Sequence, residues 1–198
     1  LETEGIKVEK YTDLARFYEG RKKYELAEEN YQEAVKHGPE EVAPLMNLAE
    51  FYTKQNMPDK AILAMENALA KKKKSLLIHT GLSQIYLQFK MIEQAEEAID
   101  QALRLDDNFV DALFQKGRVL MAKNDYKQAL DKFDQVIAAD QINAKAYYYR
   151  ALCIKERGAT DRPEQEIFRA AVGMLDNPEE FEKDQIKGNL LAAITVDP

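Results

Sequence analysis

Cysteine occurs once in this chain, tryptophan not at all and histidine twice, while glycine (8) and proline (6) are both scarce in 198 residues. The lone Cys153 excludes an internal disulfide and cysteine-rich zinc sites, and leaves the redox compartment unmarked. No apolar run reaches the roughly 18 residues a spanning helix needs, so direct membrane insertion is not expected. Basic residues are outnumbered: the formal net charge is -7. That removes the broad positive footprint that nucleic acid or an anionic membrane requires, so no nucleic-acid partner is expected. The opening "LETEGIKVEK" has no Met and no apolar signal core. It reads as an excised piece of a longer chain, and both cytoplasm and periplasm stay open.

What remains is rich in Ala, Leu, Glu, Lys and Gln, the residues that lose least on entering a helix. Four stretches share one pattern: "YELAEENYQEAVKHG" from Tyr24, "PDKAILAMENALAKK" from Pro58, "IEQAEEAIDQALRLD" from Ile92 and "YKQALDKFDQVIAAD" from Tyr126. Their starts are 34 residues apart each time. Ala27, Ala61, Ala95 and Ala129 align; four residues on come Tyr31, Met65, Ile99 and Phe133, and three further on Ala34, Ala68, Ala102 and Val136. Spacing i, i+4, i+7 puts a small–large–small stripe on one helical face. A preceding helix in each unit repeats the sets Leu14/Ala15/Tyr18, Leu48/Ala49/Tyr52 and Leu82/Ser83/Tyr86, with Lys116 standing in the Leu column beside Gly117 and Leu120. A further column holds Phe17, Phe51, Ile85, Val119 and Cys153.

Turns are expected at Lys22-Lys23, Asn56-Met57, Lys90-Met91 and Asn124-Asp125, with Gly38-Pro39 closing a second helix. A fifth unit begins near Ala144; its second helix starts at Pro163, after a loop "ERGATDRP" carrying one inserted residue. A final helix over 178–194 follows an Asn177 cap and reads as a cap or the start of a sixth unit.

The period and its columns resemble the tetratricopeptide repeat (TPR) family over roughly residues 8–177. The large residue early in the first helix is Tyr11, Leu45, His79, Leu113 or Tyr147, never Trp, and the closing Pro occurs only at Pro39. The expected fold is all-α: one solenoid domain spanning 1–198, with repeats at about 8–41, 42–75, 76–109, 110–143 and 144–177. The resemblance implies a right-handed superhelix whose first helices line a concave groove.

No His-Glu-x-x-His run, P-loop or Gly-x-Ser-x-Gly elbow occurs, so neither catalysis nor a cofactor or metal is expected. His37 suits a helix C-terminus, His79 fills a packing column, and Cys153 reads as an inert core thiol. "KKKK" at 71–74 reads as a solvated helix end, and the pairs Glu28-Glu29, Glu40-Glu41 and Glu96-Glu97 as solvated surface.

Function is then expected on a surface, with a peptide or helix of a protein partner in the groove. The groove residues are Arg16, Met46, Asn47, Glu50, Gln84, Phe114, Arg118, Met121, Lys145, Tyr148 and Leu152, with Phe114, Arg118 and Tyr148 as the strongest anchors. The carboxylate clamp of chaperone-binding relatives fails: the matching positions hold Thr12, Arg16, Asn47, Leu77 and Gly81, and only Asn47 fits. The reading is a non-enzymatic scaffold, bacterial, of the kind found in cell-envelope and exopolysaccharide-secretion assemblies. The alternatives are a self-association module forming homo-oligomers, or a regulatory domain of a longer enzyme.

Overall fold

The computed structural model describes residues 3–161, with side chains placed as far as 157. The expected second helix of the fifth repeat, its inserted residue and the helix over 178–194 lie outside the described residues. Within them the ordered elements are α1 (Glu4–Gly20), α2 (Tyr24–His37), α3 (Val42–Lys54), α4 (Pro58–Lys71), α5 (Leu76–Gln88), α6 (Ile92–Leu105), α7 (Val110–Ala122), α8 (Tyr126–Ala139) and α9 (Ala144–Asp161). The fold is the expected all-α helical-repeat solenoid. It divides into two compact units, Leu1–Ala98 and Ile99–Pro198. In the first, α1 packs on α2, α2 on α3, α3 on α4 and α4 on α5; in the second, α7 packs on α8 and both meet α9.

The turn inside each of the first four repeats is the same object. Lys22, Asn56, Lys90 and Asn124 have φ of 58°, 59°, 60° and 61°. Each donates its N–H to the carbonyl three residues back, and the next residue donates to the carbonyl five back: Lys90 N to Leu87 O at 3.1 Å, Met91 N to Tyr86 O at 2.8 Å. Those paired bonds satisfy two of the carbonyls a helix end leaves orphaned, which is the Schellman arrangement. Asparagine tolerates the left-handed region; the two lysines sit there under strain.

The small–large–small stripe is core. Ala27, Ala61, Ala95 and Ala129 are fully buried, as are Ile99, Phe133 and Val136. Close approach at these alanines is what lets the large residue fill the space between helices. Gly117 shows how tight the fit is: a Cβ there would lie 2.7 Å from the Phe133 ring. Gly38 is held by space as well, since a Cβ would come within 2.9 Å of Val8 Cγ2.

The column of Phe17, Phe51, Ile85, Val119 and Cys153 is not buried uniformly. Phe51 is 1% exposed, with its ring 5.3 Å from Tyr31 of the preceding repeat's second helix. Phe17 has no earlier helix over it here and is 53% exposed, its ring capped by Arg21 at 4.6 Å. Lys10, on the same helix, is exposed at the position where Pro44, Ile78, Ala112 and Ala146 are buried. That face of the first repeat exposes both the Phe17 ring and Lys10.

Lys116 occupies a leucine column because its stem packs inward and its ammonium reaches Asp100 at 2.7 Å. One boundary differs from expectation. α9 runs to Asp161, so residues 156–161 of "ERGATDRP" are helical and not loop. Glu156, Arg157 and Ala159 favour helix, and the roughly 1 kcal/mol penalty of a single Gly158 does not stop it.

Trimming Phe133 to Ala should lower the unfolding free energy by about 3–5 kcal/mol in urea denaturation followed by circular dichroism. Lys90→Gly should raise it. Relief of the left-handed conformation, ~1–2 kcal/mol, exceeds the ~0.4–1 kcal/mol that glycine adds to unfolded-chain entropy. A lowered denaturation midpoint would show that the turn carries no strain.

Candidate protein-binding face

In the first unit, Arg16, Glu19 and Gly20 lie along one face of α1, and Asn47, Glu50 and Lys54 along one face of α3. With Tyr31 of α2 they line a cleft of about 420 Å³. The expected residues Arg16, Asn47 and Glu50 are therefore brought together. The cleft has a fixed polar floor: the Tyr31 hydroxyl donates to Glu19 Oε2 at 2.8 Å, and the Lys54 ammonium bridges Glu19 at 3.2 Å and Glu50 at 3.0 Å. Burial, and then the hydrogen bond to Glu19, push the Tyr31 hydroxyl well above the ordinary tyrosine range. The hydrogen bond to Glu50, with Glu19 adding to it, holds the Lys54 pKa above its usual value.

One group in this cleft has no partner among the described residues, and another is only loosely paired. Arg16 is exposed and only 3.7 Å from Asp13 at its closest. The half-buried Asn47 amide bonds to no other group among the described residues. Met46 is half-buried against the unit's core, and Gln84 is exposed on α5.

In the second unit Phe114, Arg118 and Met121 come from α7 and Lys145, Tyr148 and Leu152 from α9. Phe114 is largely a packing residue: it meets Phe133 edge-on at 5.7 Å and Tyr149 at 5.4 Å. Met121 packs against the same cluster. Tyr148 stands perpendicular to Tyr149 at 5.3 Å, half-buried; Lys145 is exposed and Leu152 half-buried. Arg118 is half-buried. Its guanidinium lies 5.6 Å from the Tyr149 ring centroid and donates to Gln115 Oε1 at 3.0 Å.

Gln115 and Tyr149 are not among the expected groove residues, nor are Tyr31 and Lys54. A signal exists for the first two. Asp13, Asn47, Gly81, Gln115 and Tyr149 form a column of their own at the 34-residue interval, and only Asn47 of that column belongs to the expected set.

Other chemistry-bearing groups are engaged structurally. Cys153 is fully buried, and burial, with nearby Glu156 adding, pushes its thiol up to about 12. His37 Nδ1 lies 2.7 Å from Glu4 Oε2 and its ring stacks on Tyr11. Glu28 accepts from Lys60 at 2.7 Å and Tyr52 at 2.9 Å; Lys60 first, then Tyr52, holds its carboxyl below the usual range. Among the described residues no cluster of His, Cys, Asp and Glu could hold a metal, and no helix is long and apolar enough to cross a membrane.

Family profiles of the tetratricopeptide repeat match residues 12–75, 54–118 and 114–177. The chain belongs to the tetratricopeptide repeat family. Its fold is similar to that of TTC0263, a thermophilic TPR protein of Thermus thermophilus, at TM-score 0.71 and 16% identity, covering 94% of this chain and 98% of the other. It is also similar to YrrB, described as a TPR protein with an unusual peptide-binding site, at TM-score 0.60 and 19% identity over 92% and 89% of the two chains. A crystal structure of MamA protein superposes at TM-score 0.67 with 19% identity, over 90% and 97%.

Among curated relatives, anaphase-promoting complex subunit 3 of Schizosaccharomyces pombe is 24% identical over 67% of this chain, and an uncharacterised protein of Haemophilus influenzae 29% over 54%. The chain spans 20% and 56% of their respective lengths.

Tyr31 should be among the last tyrosines to ionise in an alkaline titration followed by near-ultraviolet absorbance. Its folded pKa is raised, so its contribution is present below the unfolded value of about 10 and is lost as pH rises beyond it. Tyr31→Phe should therefore flatten the alkaline fall in stability; an unchanged slope would show that folding does not raise the hydroxyl's pKa.

Proposed function

We propose that this chain is a non-enzymatic scaffold that holds a peptide or helix of a partner protein on the first-helix faces of its repeats. The observation that carries this reading is the α1/α3 cleft. Its carboxylates and Lys54 satisfy one another, while at its rim Arg16 is paired only loosely with Asp13 and the Asn47 amide has no partner among the described residues. An amide beside a cleft can donate and accept at once, which matches the alternating groups of an extended backbone. The presence of a peptide-binding protein among the structural neighbours supports the same reading. The other groove residues, Met46, Gln84, Met121, Lys145, Tyr148 and Leu152, are assigned to contact on the first helices of their own repeats. The finer setting, a bacterial cell-envelope or secretion assembly, follows from the family resemblance and is tested by fractionation.

Affinity capture from lysate, read by mass spectrometry, tests the face. The informative variant is Arg16→Ala/Asn47→Ala/Lys145→Ala/Tyr148→Ala. It spares Phe114, whose packing against Phe133 and Tyr149 would confuse binding with folding. A protein held by the wild type should be lost, with helicity unchanged. Equal capture by both forms would move the interface off the first helices.

A further inference from the structure

Arg118 is an unusual cation for this chain. Its neighbours of similar exposure face carboxylates: Lys116 reaches Asp100 at 2.7 Å, and the Arg150 guanidinium binds Asp134. Arg118 faces none. It bonds only the neutral Gln115 Oε1, and it lies over the Tyr149 ring. The acidic residue on its own helix, Asp111, sits two turns earlier with no ion pair to it.

The support around Arg118 is costly. Gln115 is 3% exposed, and its Nε2 is buried without a hydrogen-bond partner among the described residues. A buried unmet donor costs on the order of 1–3 kcal/mol. What the side chain does make is the bond to Arg118. Gln115 and Tyr149 thus fix the plane of a guanidinium whose other N–H groups bond no protein atom among the described residues. A fixed, stacked guanidinium presents a planar fork that a carboxylate fills with two parallel bonds. Lys145, exposed on α9, adds a second positive charge on the same unit, and the half-buried Tyr148 offers an apolar face. The setting is pronounced in a chain whose net charge is -7.

We propose that the α7/α9 face binds an acidic peptide segment of the partner: an Asp or Glu carboxylate on the Arg118 fork, next to a large apolar side chain against Tyr148. This rests on the scaffold reading above and names the partner's chemistry. The bond is partly desolvated, so its loss is expected to weaken binding more than a surface pair would.

The test uses the whole chain and a phage-displayed library of random peptides. Sequences enriched on the wild type should pair Asp or Glu with Phe, Leu or Tyr. The best of them, made as a fluorescein-labelled peptide, should bind about 10- to 100-fold more weakly to Arg118→Gln by anisotropy. Arg118→Lys, which keeps the charge and loses the fork, should fall between. Replacing the acidic residue of the peptide by its amide should weaken binding to the wild type, with little further loss on Arg118→Gln. Circular dichroism establishes that both variants fold.

Peptides that need Tyr148 but show no acidic enrichment, or ignore Arg118→Gln, would overturn this inference and leave the scaffold reading standing. Peptides that bind equally well after Arg16, Asn47, Lys145 and Tyr148 are all replaced would overturn both, as would a library that yields none.

Discussion

The rest of the structure depends on a small residue placed where one helix passes close to another. Ala27, Ala61, Ala95 and Ala129 are buried completely, and any larger side chain there would push the helices apart. That proximity gives Tyr31, Met65, Ile99 and Phe133 a space to fill, four residues along the same face. Gly117 shows the constraint at its limit: the Phe133 ring occupies the volume a methyl group would need. A single pair of helices cannot bury this stripe alone, so stability is shared between neighbouring pairs. The contrast between Phe51 and Phe17 shows this directly. The same residue in the same column is core or surface according to whether another helix lies over it.

The second constant is the turn. A left-handed residue at each 34-residue interval ends one helix and starts the next in one step. Its two backbone bonds leave few polar groups unmet, and a connection so short keeps both helices in register. The inner helices keep nearly identical lengths although their sequences differ widely, 13 residues for α3, α5 and α7 and 14 for α2, α4, α6 and α8, while α1 and α9 run to 17 and 18.

Most of this is legible in the sequence because the period is strict. Each alanine column, each Tyr/Met/Ile/Phe column and each turn position follows from spacing alone. What escapes is set by tertiary context. Phe17 shares its column's chemistry without its neighbour. Lys116 breaks a leucine column, yet Asp100 on the preceding helix makes it a packing residue. Phe114 holds a groove position in the repeat and is mostly an element of an aromatic cluster, since Tyr149 of α9 folds against it. Periodicity gives the face a residue occupies, but not what stands opposite.

The division of labour between helices follows from the same geometry. Second helices spend their apolar stripe on packing, and polar residues such as Glu28 and Asp134 lock them to neighbouring helices through ion pairs. First helices keep a face that packing does not consume. On that face polar groups are either neutralised among themselves, as with Glu19, Glu50 and Lys54, or held in place with no counter-charge among the described residues, as with Arg118. In the isolated chain the bond to Arg118 and the Tyr149 stack offset only part of what burying the Gln115 amide costs. On the proposed reading, an acidic segment would meet a guanidinium whose orientation the fold has already set.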